Sequence, residues 1–293
     1  MNISDSCIVM NERVIARSFA KINLTLDILG KRNNGYHDIE TIMQTVNLFD
    51  LIIVDKAPKG IKLSTNISGL PTNEKNIACK AAKMFFDNAH INSGVKMLIH
   101  KNIPVGAGMA GGSSNGAAVL VAMNRLFGNP LSEERLLELG ARLGADVPFC
   151  IKCGTAVATG IGEKLNCIEN NPGMPIVVIK PKQGISTSEM YKIIDSAEIP
   201  DRPDTEGMLK ALEEHDFKKI ADKLGNVMEA PAIKKCPIIG EIKENLIKVG
   251  ALGSLMTGSG SAVFGIFETK ESADRAVGIL SERYSNVYSL ITI

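Results

Sequence analysis

The sequence predicts an α+β fold, and three patterns carry that prediction. Positions 14–28 alternate apolar and polar, the period-two signature of a half-buried strand. Positions 76–89 and 113–127 instead repeat at helical spacing, with an alternating segment over 95–100 between them. From residue 238 onward the order reads helix, strand, glycine turn, strand, helix, strand. Such a mixture, without strict strand–helix alternation, points to α+β rather than a doubly wound parallel sheet.

In the first strand Val14, Ala16, Ser18, Ala20, Ile22, Leu24, Leu26 and Ile28 share one face. Arg17, Lys21, Asn23, Thr25 and Asp27 share the other, so Lys21 and Asn23 are expected to point the same way, off the core. The run from Gly30 to Gly35 reads as a turn that sends the chain back antiparallel. Short strands follow at 51–54 and 61–65. After the helix over 113–127, Ser132 reads as the N-cap of a further helix ending at Gly144. Strands are expected around 149–159 and 175–180. Asn170-Asn171-Pro172-Gly173 is the linker candidate, dividing the chain into domains 1–172 and 173–293. In the second domain the pattern predicts a helix over 238–249, strands over 252–256 and 262–267, a helix over 272–284 and a strand over 287–291.

Composition narrows the function. Lys and Arg number 33 against 32 Asp and Glu, so the basic excess that a nucleic-acid binder uses to neutralise phosphates is missing. A small-molecule partner fits better. No apolar run approaches the ~20 residues of a membrane span, and the first residues carry Asp5, Glu12 and Arg13 rather than a signal peptide, which predicts a cytoplasmic protein off the membrane. Oligomeric state, monomer or homodimer, is left open. Six cysteines include one suggestive pair, Cys150 and Cys153, with no second pair or His pair to complete a zinc site. They read as reduced thiols on a strand.

The chemistry concentrates in one segment, Pro104-Val105-Gly106-Ala107-Gly108-Met109-Ala110-Gly111-Gly112-Ser113-Ser114-Asn115, lying between a strand and a helix. Glycines let backbone N–H groups turn inward, the serines add hydroxyls and the helix start adds partial positive charge, so the segment suits an anion. A Walker A loop requires lysine where Gly112 stands. Gly106-x-Gly108-x-x-Gly111 matches the dinucleotide fingerprint, but a helical pattern with Arg125 follows where a strand ending in an acid is required. The H-R-D and D-F-G tripeptides of protein kinases do not occur.

The loop resembles that of the GHMP small-molecule kinases. Two further segments agree in order: Gly144-Ala145-Asp146-Val147-Pro148-Phe149 resembles that family's acidic catalytic segment, and Thr257-Gly258-Ser259-Gly260-Ser261 its C-terminal glycine motif. Ala20-Lys21-Ile22-Asn23-Leu24, Gly35-Tyr36-His37 and Gly160-Ile161-Gly162-Glu163 are similar to one branch, which phosphorylates a cytidine diphosphate alcohol in the non-mevalonate route to isoprenoid precursors. The likeness covers nearly the whole chain. Ala110 departs from it, standing where this branch usually has glycine; its Cβ is expected to oppose a positive φ or crowd a phosphate.

The resemblance implies the two-domain GHMP kinase fold, with an N-terminal domain like the second domain of ribosomal protein S5 and a ferredoxin-like C-terminal domain. It implies ATP and Mg2+, although no residue is identified as a metal ligand. It assigns Asp146 as general base and Lys21 as the positive charge near the transferring phosphoryl group, and it gives Asn23, Tyr36, His37 and Tyr191 to the substrate. Asn76, Lys101 and the loop from Pro104 through Gly106, Gly108, Ala110, Gly111, Gly112, Ser113, Ser114 and Asn115 go to ATP, with Thr257, Gly258 and Ser259. A kinase for another small alcohol, of mevalonate or homoserine type, and a non-catalytic nucleotide-binding relative are the alternatives.

Overall fold

The computed structural model describes residues 3–169, 173–199 and 201–293. Asn170, Asn171 and Pro172 of the expected linker therefore lie outside the described residues. Two compact units are resolved: Met1–Ala20 with Leu48–Val105 and Ala110–Cys153, and Lys21–Asn47 with Gly106–Met109 and Gly154–Ile293.

The first unit opens with a short 3-10 turn at Ile3–Ser6 and β1 (Ile8–Met10), which pairs antiparallel with β2 (Arg13–Lys31) over Arg13 to Ile15. The chain turns through Arg32 and Tyr36, where the Arg32 N–H donates to the Tyr36 carbonyl at 2.7 Å, and returns as β3 (His37–Ala57). The two strands expected at 51–54 and 61–65 are the end of this 21-residue β3 and β4 (Gly60–Thr65). α1 (Ile77–Ala89) starts where Asn76 caps it, its Oδ1 accepting from the Ala78 N–H at 2.9 Å. β5 (Gly94–His100) lies between β3, antiparallel, and β4, parallel. α2 (Gly111–Leu126) packs on α1 through Gly116, where an added Cβ would come within 3.1 Å of Ile77. Phe85, Phe86 and Phe127 close that contact, and Phe85 is fully buried, contributing about 2–3 kcal/mol.

α3 (Glu133–Leu143) begins at Ser132, whose hydroxyl accepts from Arg135 N–H, and ends at Gly144, as its caps predict. α4 (Val147–Lys152) corrects the expectation of a strand from 149. An apolar run of that length fits either state; Pro148 in its first turn, after Asp146 at the N-cap, favours the helix. Cys150 and Cys153 consequently sit one helical turn apart, not along a strand, and both are buried and outside any disulfide.

In the second unit β6 (Thr155–Thr159) pairs with β3 and with β7 (Lys164–Ile168), a strand the sequence pattern missed. β8 (Pro175–Ile179) follows, then α5 (Thr187–Ile194), α6 (Thr205–Glu213), α7 (Phe217–Asp222), the two-residue β9 (Gly225–Asn226) beside β2, α8 (Glu229–Lys235) and α9 (Ile238–Lys248). β10 (Gly253–Met256), β11 (Val263–Ile266), α10 (Lys270–Leu280) and β12 (Val287–Ile291) complete the chain. β10, β11, β8 and β12 form, in that order, an antiparallel sheet. Chain order 2-3-1-4 across four strands, with helices in the first and last connections, is the ferredoxin-like plan the resemblance implied. Its core gathers Val177, Ile179, Ile239, Ile242, Val263 and Phe267.

Candidate active site

Lys21 and Asn23 lie two apart on β2 and share a face, as the alternation requires. They are nevertheless buried, at 4% and 2% exposure, which corrects the expectation that this face leaves the core. The cover is the glycine loop itself together with residue 257. Lys21 Nζ donates to the carbonyl of Gly108 at 3.2 Å, and the Lys21 N–H donates to the carbonyl of Met109 at 3.2 Å. Lys21 Nζ also donates to Asn23 Oδ1 at 2.7 Å. Asn23 Nδ2 donates to Thr41 Oγ1 at 2.8 Å, and the Asn23 backbone N–H donates to Thr257 Oγ1 at 3.0 Å. The Thr257 hydroxyl donates in turn to Asn23 Oδ1 at 3.3 Å.

Gly106 and Gly108 take the left-handed region at φ of 64° and 75°, so the loop curls as the glycines predict. At Gly108 glycine is also required by contact: a Cβ there would stand 2.2 Å from the Thr257 carbonyl oxygen. Gly258 meets the same loop, its added Cβ lying 2.9 Å from the Gly108 oxygen. Two glycine turns thus touch backbone to backbone. Ser259 is held from the other side, its hydroxyl 2.8 Å from that of Thr187.

Ala110 adopts φ 55° and ψ 23° as the N-cap of α2. Its Cβ does not prevent the left-handed conformation, which costs a non-glycine residue about 1–2 kcal/mol. The N–H groups of Gly111, Gly112 and Ser113 then begin the helix with no intrahelical acceptor, the arrangement that attracts an anion. Gly112 is exposed. Ser114 turns inward instead, its hydroxyl accepting from Ser18 at 2.8 Å.

Behind that turn lies a buried network that the sequence reading did not find. Asp50, fully buried, is ion-paired with Lys101 Nζ. Asp50 also accepts from Asn115 Nδ2 at 2.7 Å and from the N–H groups of Asn102 and Ile103 at 2.7 and 2.8 Å. Lys101 donates to Asn115 Oδ1 at 3.3 Å, and a Cβ on Gly111 would come 3.1 Å from Lys101 Nζ. Lys101 and Asn115 therefore brace the start of α2. Asn76, assigned to ATP by resemblance, spends its side chain on the α1 cap and on the Pro71 carbonyl at 2.7 Å.

Tyr36 is exposed at 59%, whereas His37 is buried. His37 stacks on Tyr191, ring centroids 4.6 Å apart and 18° from parallel, and its Nε2 lies 2.6 Å from Asp195 Oδ1. One face of Tyr191 is thus covered by His37. The hydrogen bonds from His37 and then Lys31 hold the Asp195 carboxyl below its ordinary range. Asp146 is the N-cap residue of α4. Among the described residues, no group of three or more His, Cys, Asp or Glu could hold a metal ion, and no helix is long and apolar enough to cross a membrane.

Comparison with known proteins gives this geometry its family. Residues 76–154 match the GHMP kinases N terminal domain and residues 208–286 the GHMP kinases C terminal domain. The 4-diphosphocytidyl-2-C-methyl-D-erythritol kinase of Clostridium novyi (strain NT) is 46% identical over 277 residues, covering 94% of this chain and 99% of that protein. The chain belongs to the 4-diphosphocytidyl-2-C-methyl-D-erythritol kinases, a GHMP kinase branch. A crystal structure of 4-(cytidine 5'-diphospho)-2C-methyl-D-erythritol kinase superposes with a TM-score of 0.82 at 30% identity, covering 95% of this chain and 98% of that one. Homoserine kinase from Cytophaga hutchinsonii, at 18% identity and TM-score 0.75 with 97% and 96% coverage, shares the fold. As a member of this kinase family the chain is a small-molecule kinase with the two-domain α+β GHMP fold. Thr41 and Asp50 are two polar residues of the kinase's two networks that no motif contained. Both lie on β3 among several other polar residues, and only their distant partners distinguish them from surface positions.

Proposed function

We propose that this kinase transfers the γ-phosphoryl group of ATP to the 2-hydroxyl of 4-diphosphocytidyl-2-C-methyl-D-erythritol, in the non-mevalonate supply of isoprenoid precursors. The observation that carries the reading is the Lys21–Asn23 pair anchored to the Gly108 carbonyl, which sets a buried cation against the glycine loop. The relatives' names supply the substrate.

In this reading Asp146 accepts the hydroxyl proton as the alcohol oxygen attacks the γ-phosphorus and the bond to the β-bridging oxygen breaks, releasing ADP. Such a positioned base contributes typically about 10² to 10⁴ in rate. Lys21 stabilises charge on the phosphoryl oxygens as it moves. The amides opening α2, with Ser113, Gly106, Gly108, Gly111 and Gly112, bind the triphosphate, which arrives with Mg2+ as its counterion. Asn76, Lys101 and Asn115 shape the nucleotide wall from behind, and Thr257, Gly258 and Ser259 support the loop. Tyr36, His37, Asn23 and Tyr191 receive the cytidine diphosphate alcohol. The family domains are assigned to 1–172 and 173–293, and the enzyme acts in the cytoplasm.

The test is ATP consumption with the purified cytidine diphosphate alcohol, with the product mass measured, alongside a panel containing mevalonate and homoserine. Phosphorylation of either panel alcohol in preference would replace the substrate assignment; ATP binding with no turnover on any of them would favour the non-catalytic relative. Asp146→Asn is expected to bind both ligands and turn over about 10²-fold or more slowly. Near-normal turnover by that variant would remove Asp146 as the base.

A further inference from the structure

We infer that Thr41 is a positioning residue of the phosphoryl-transfer site, acting on Lys21 through Asn23; the inference rests on the reading of Lys21 given above. The asparagine amide is the link between them. Its two ends have the same shape, so only neighbours decide which end faces which way. Lys21 can only donate, which assigns Oδ1 of Asn23 to the ammonium, at 2.7 Å. The opposite end then needs an acceptor.

Thr41 supplies it. This side chain is fully buried on β3, and its hydroxyl proton is spent on the Thr25 carbonyl. A hydroxyl so committed presents lone pairs to Asn23 Nδ2, which donates to it at 2.8 Å. The chain Lys21 to Asn23 to Thr41 to Thr25 therefore has one direction, and each member is less than 5% exposed among those that carry side-chain bonds. The Thr25 side chain is occupied separately, its hydroxyl accepting from the Ile42 N–H at 3.0 Å. That bond ties the two strands together where Thr41 must act.

Removing the Thr41 hydroxyl leaves Asn23 Nδ2 buried without its acceptor. With that anchor gone the amide can swing out of line with the Lys21 ammonium, and the cation loses its fixed place beside the Gly108 carbonyl. The same direction has a second consequence: Lys21 and Thr257 both donate to Asn23 Oδ1, so a ligand atom meeting this amide finds an N–H and must itself be an acceptor.

The experiment is steady-state kinetics of the full chain with ATP and alcohol varied separately, for Thr41→Val, Thr41→Ser, Lys21→Met and the Thr41→Val/Lys21→Met double variant. Valine keeps the volume and loses the acceptor. The expected result is a kcat lowered about 10- to 100-fold in Thr41→Val with KM for ATP changed by less than about twofold. Thr41→Ser should restore kcat to within about threefold of the parent, and the double variant should be no slower than Lys21→Met alone. Near-parental kcat in Thr41→Val, serine as impaired as valine, or multiplicative losses in the double variant would each overturn the inference. Full turnover by Lys21→Met would instead overturn the underlying role of Lys21, and the inference with it. Should Thr41→Val fail to fold, Thr41→Ala, with no overpacking, gives the same comparison against Thr41→Ser.

Discussion

Replacing Asp50 with alanine deletes one carboxylate and, with it, the acceptor of four hydrogen bonds: those from Lys101 Nζ, Asn115 Nδ2 and the N–H groups of Asn102 and Ile103. The carboxylate is fully buried and the Lys101 side chain is 4% exposed, so water cannot replace what is lost. Breaking a buried pair by removing one partner costs about 3–5 kcal/mol, because the remaining charge stays desolvated. That is a large share of a total stability of about 5–15 kcal/mol. In calorimetry, at about 2–4 °C per kcal/mol, the midpoint should fall by roughly 6 to 20 °C. Asp50→Asn should fall less, since its remaining oxygen can still serve the Asn102 and Ile103 amides. The decisive arm is Asp50→Leu with Lys101→Met, which removes both charges together. Its melting point should recover most of the loss, since an apolar replacement of a buried pair is commonly near neutral. A midpoint for Asp50→Ala within about 2 °C of the parent, or a double variant whose loss equals the sum of the singles, would show that the buried pair does not carry this stability.

Three further outcomes are expected from the geometry of the loop, the cysteines and Asp195. Gly108→Ala should lower turnover on the order of 10²-fold, because its Cβ would lie 2.2 Å from the Thr257 carbonyl and must push the two turns apart, whereas Gly69→Ala, at positive φ but with nothing within 4 Å, should leave kcat at the parental level. In native protein at pH 8, a thiol-reactive disulfide dye should find one fast site, exposed Cys167, while burial pushes the Cys7 thiol up to about 11 and keeps it slow; Cys167→Ser should abolish the fast phase. Because the folded-state pKa of Asp195 is depressed by His37 and Lys31, its stabilising contribution is present above the unfolded value of about 3.9 and lost as pH falls through the folded one. Asp195→Asn should therefore flatten the fall of melting temperature as pH drops below about 4, and parallel curves for the two proteins would count against that coupling.

Local signals made much of the fold legible. Asn76 and Ser132 cap helices because their side chains satisfy amides within three residues, and C-terminal strands such as Pro175–Ile179 and Val263–Ile266 are short, fully buried apolar runs. The glycine loop was visible for the same reason, since its shape depends on backbone freedom in one short stretch. What escaped was nonlocal. β3 runs unbroken through Asn47 and Asp50 because the partners that satisfy Asp50 lie 51 to 65 residues further along. The second face of β2 is buried because residues 108, 109 and 257 cover it, and no alternation within residues 14–28 can announce that. Thr41 was silent for a related reason: its significance comes from Asn23 on the neighbouring strand.

The bond from the Asn23 N–H to the Thr257 side chain joins positions separated by 234 residues, and Lys21 reaches 87 residues to Gly108. The cation at residue 21 consequently has its full set of supports only when nearly the entire polypeptide has been made and folded. A fragment ending before residue 257 could keep every capped helix of the first unit and still lack the hydroxyl that seats Asn23. Helix caps close within a few residues, whereas the seat of Lys21 is completed only by a residue near the far end of the sequence.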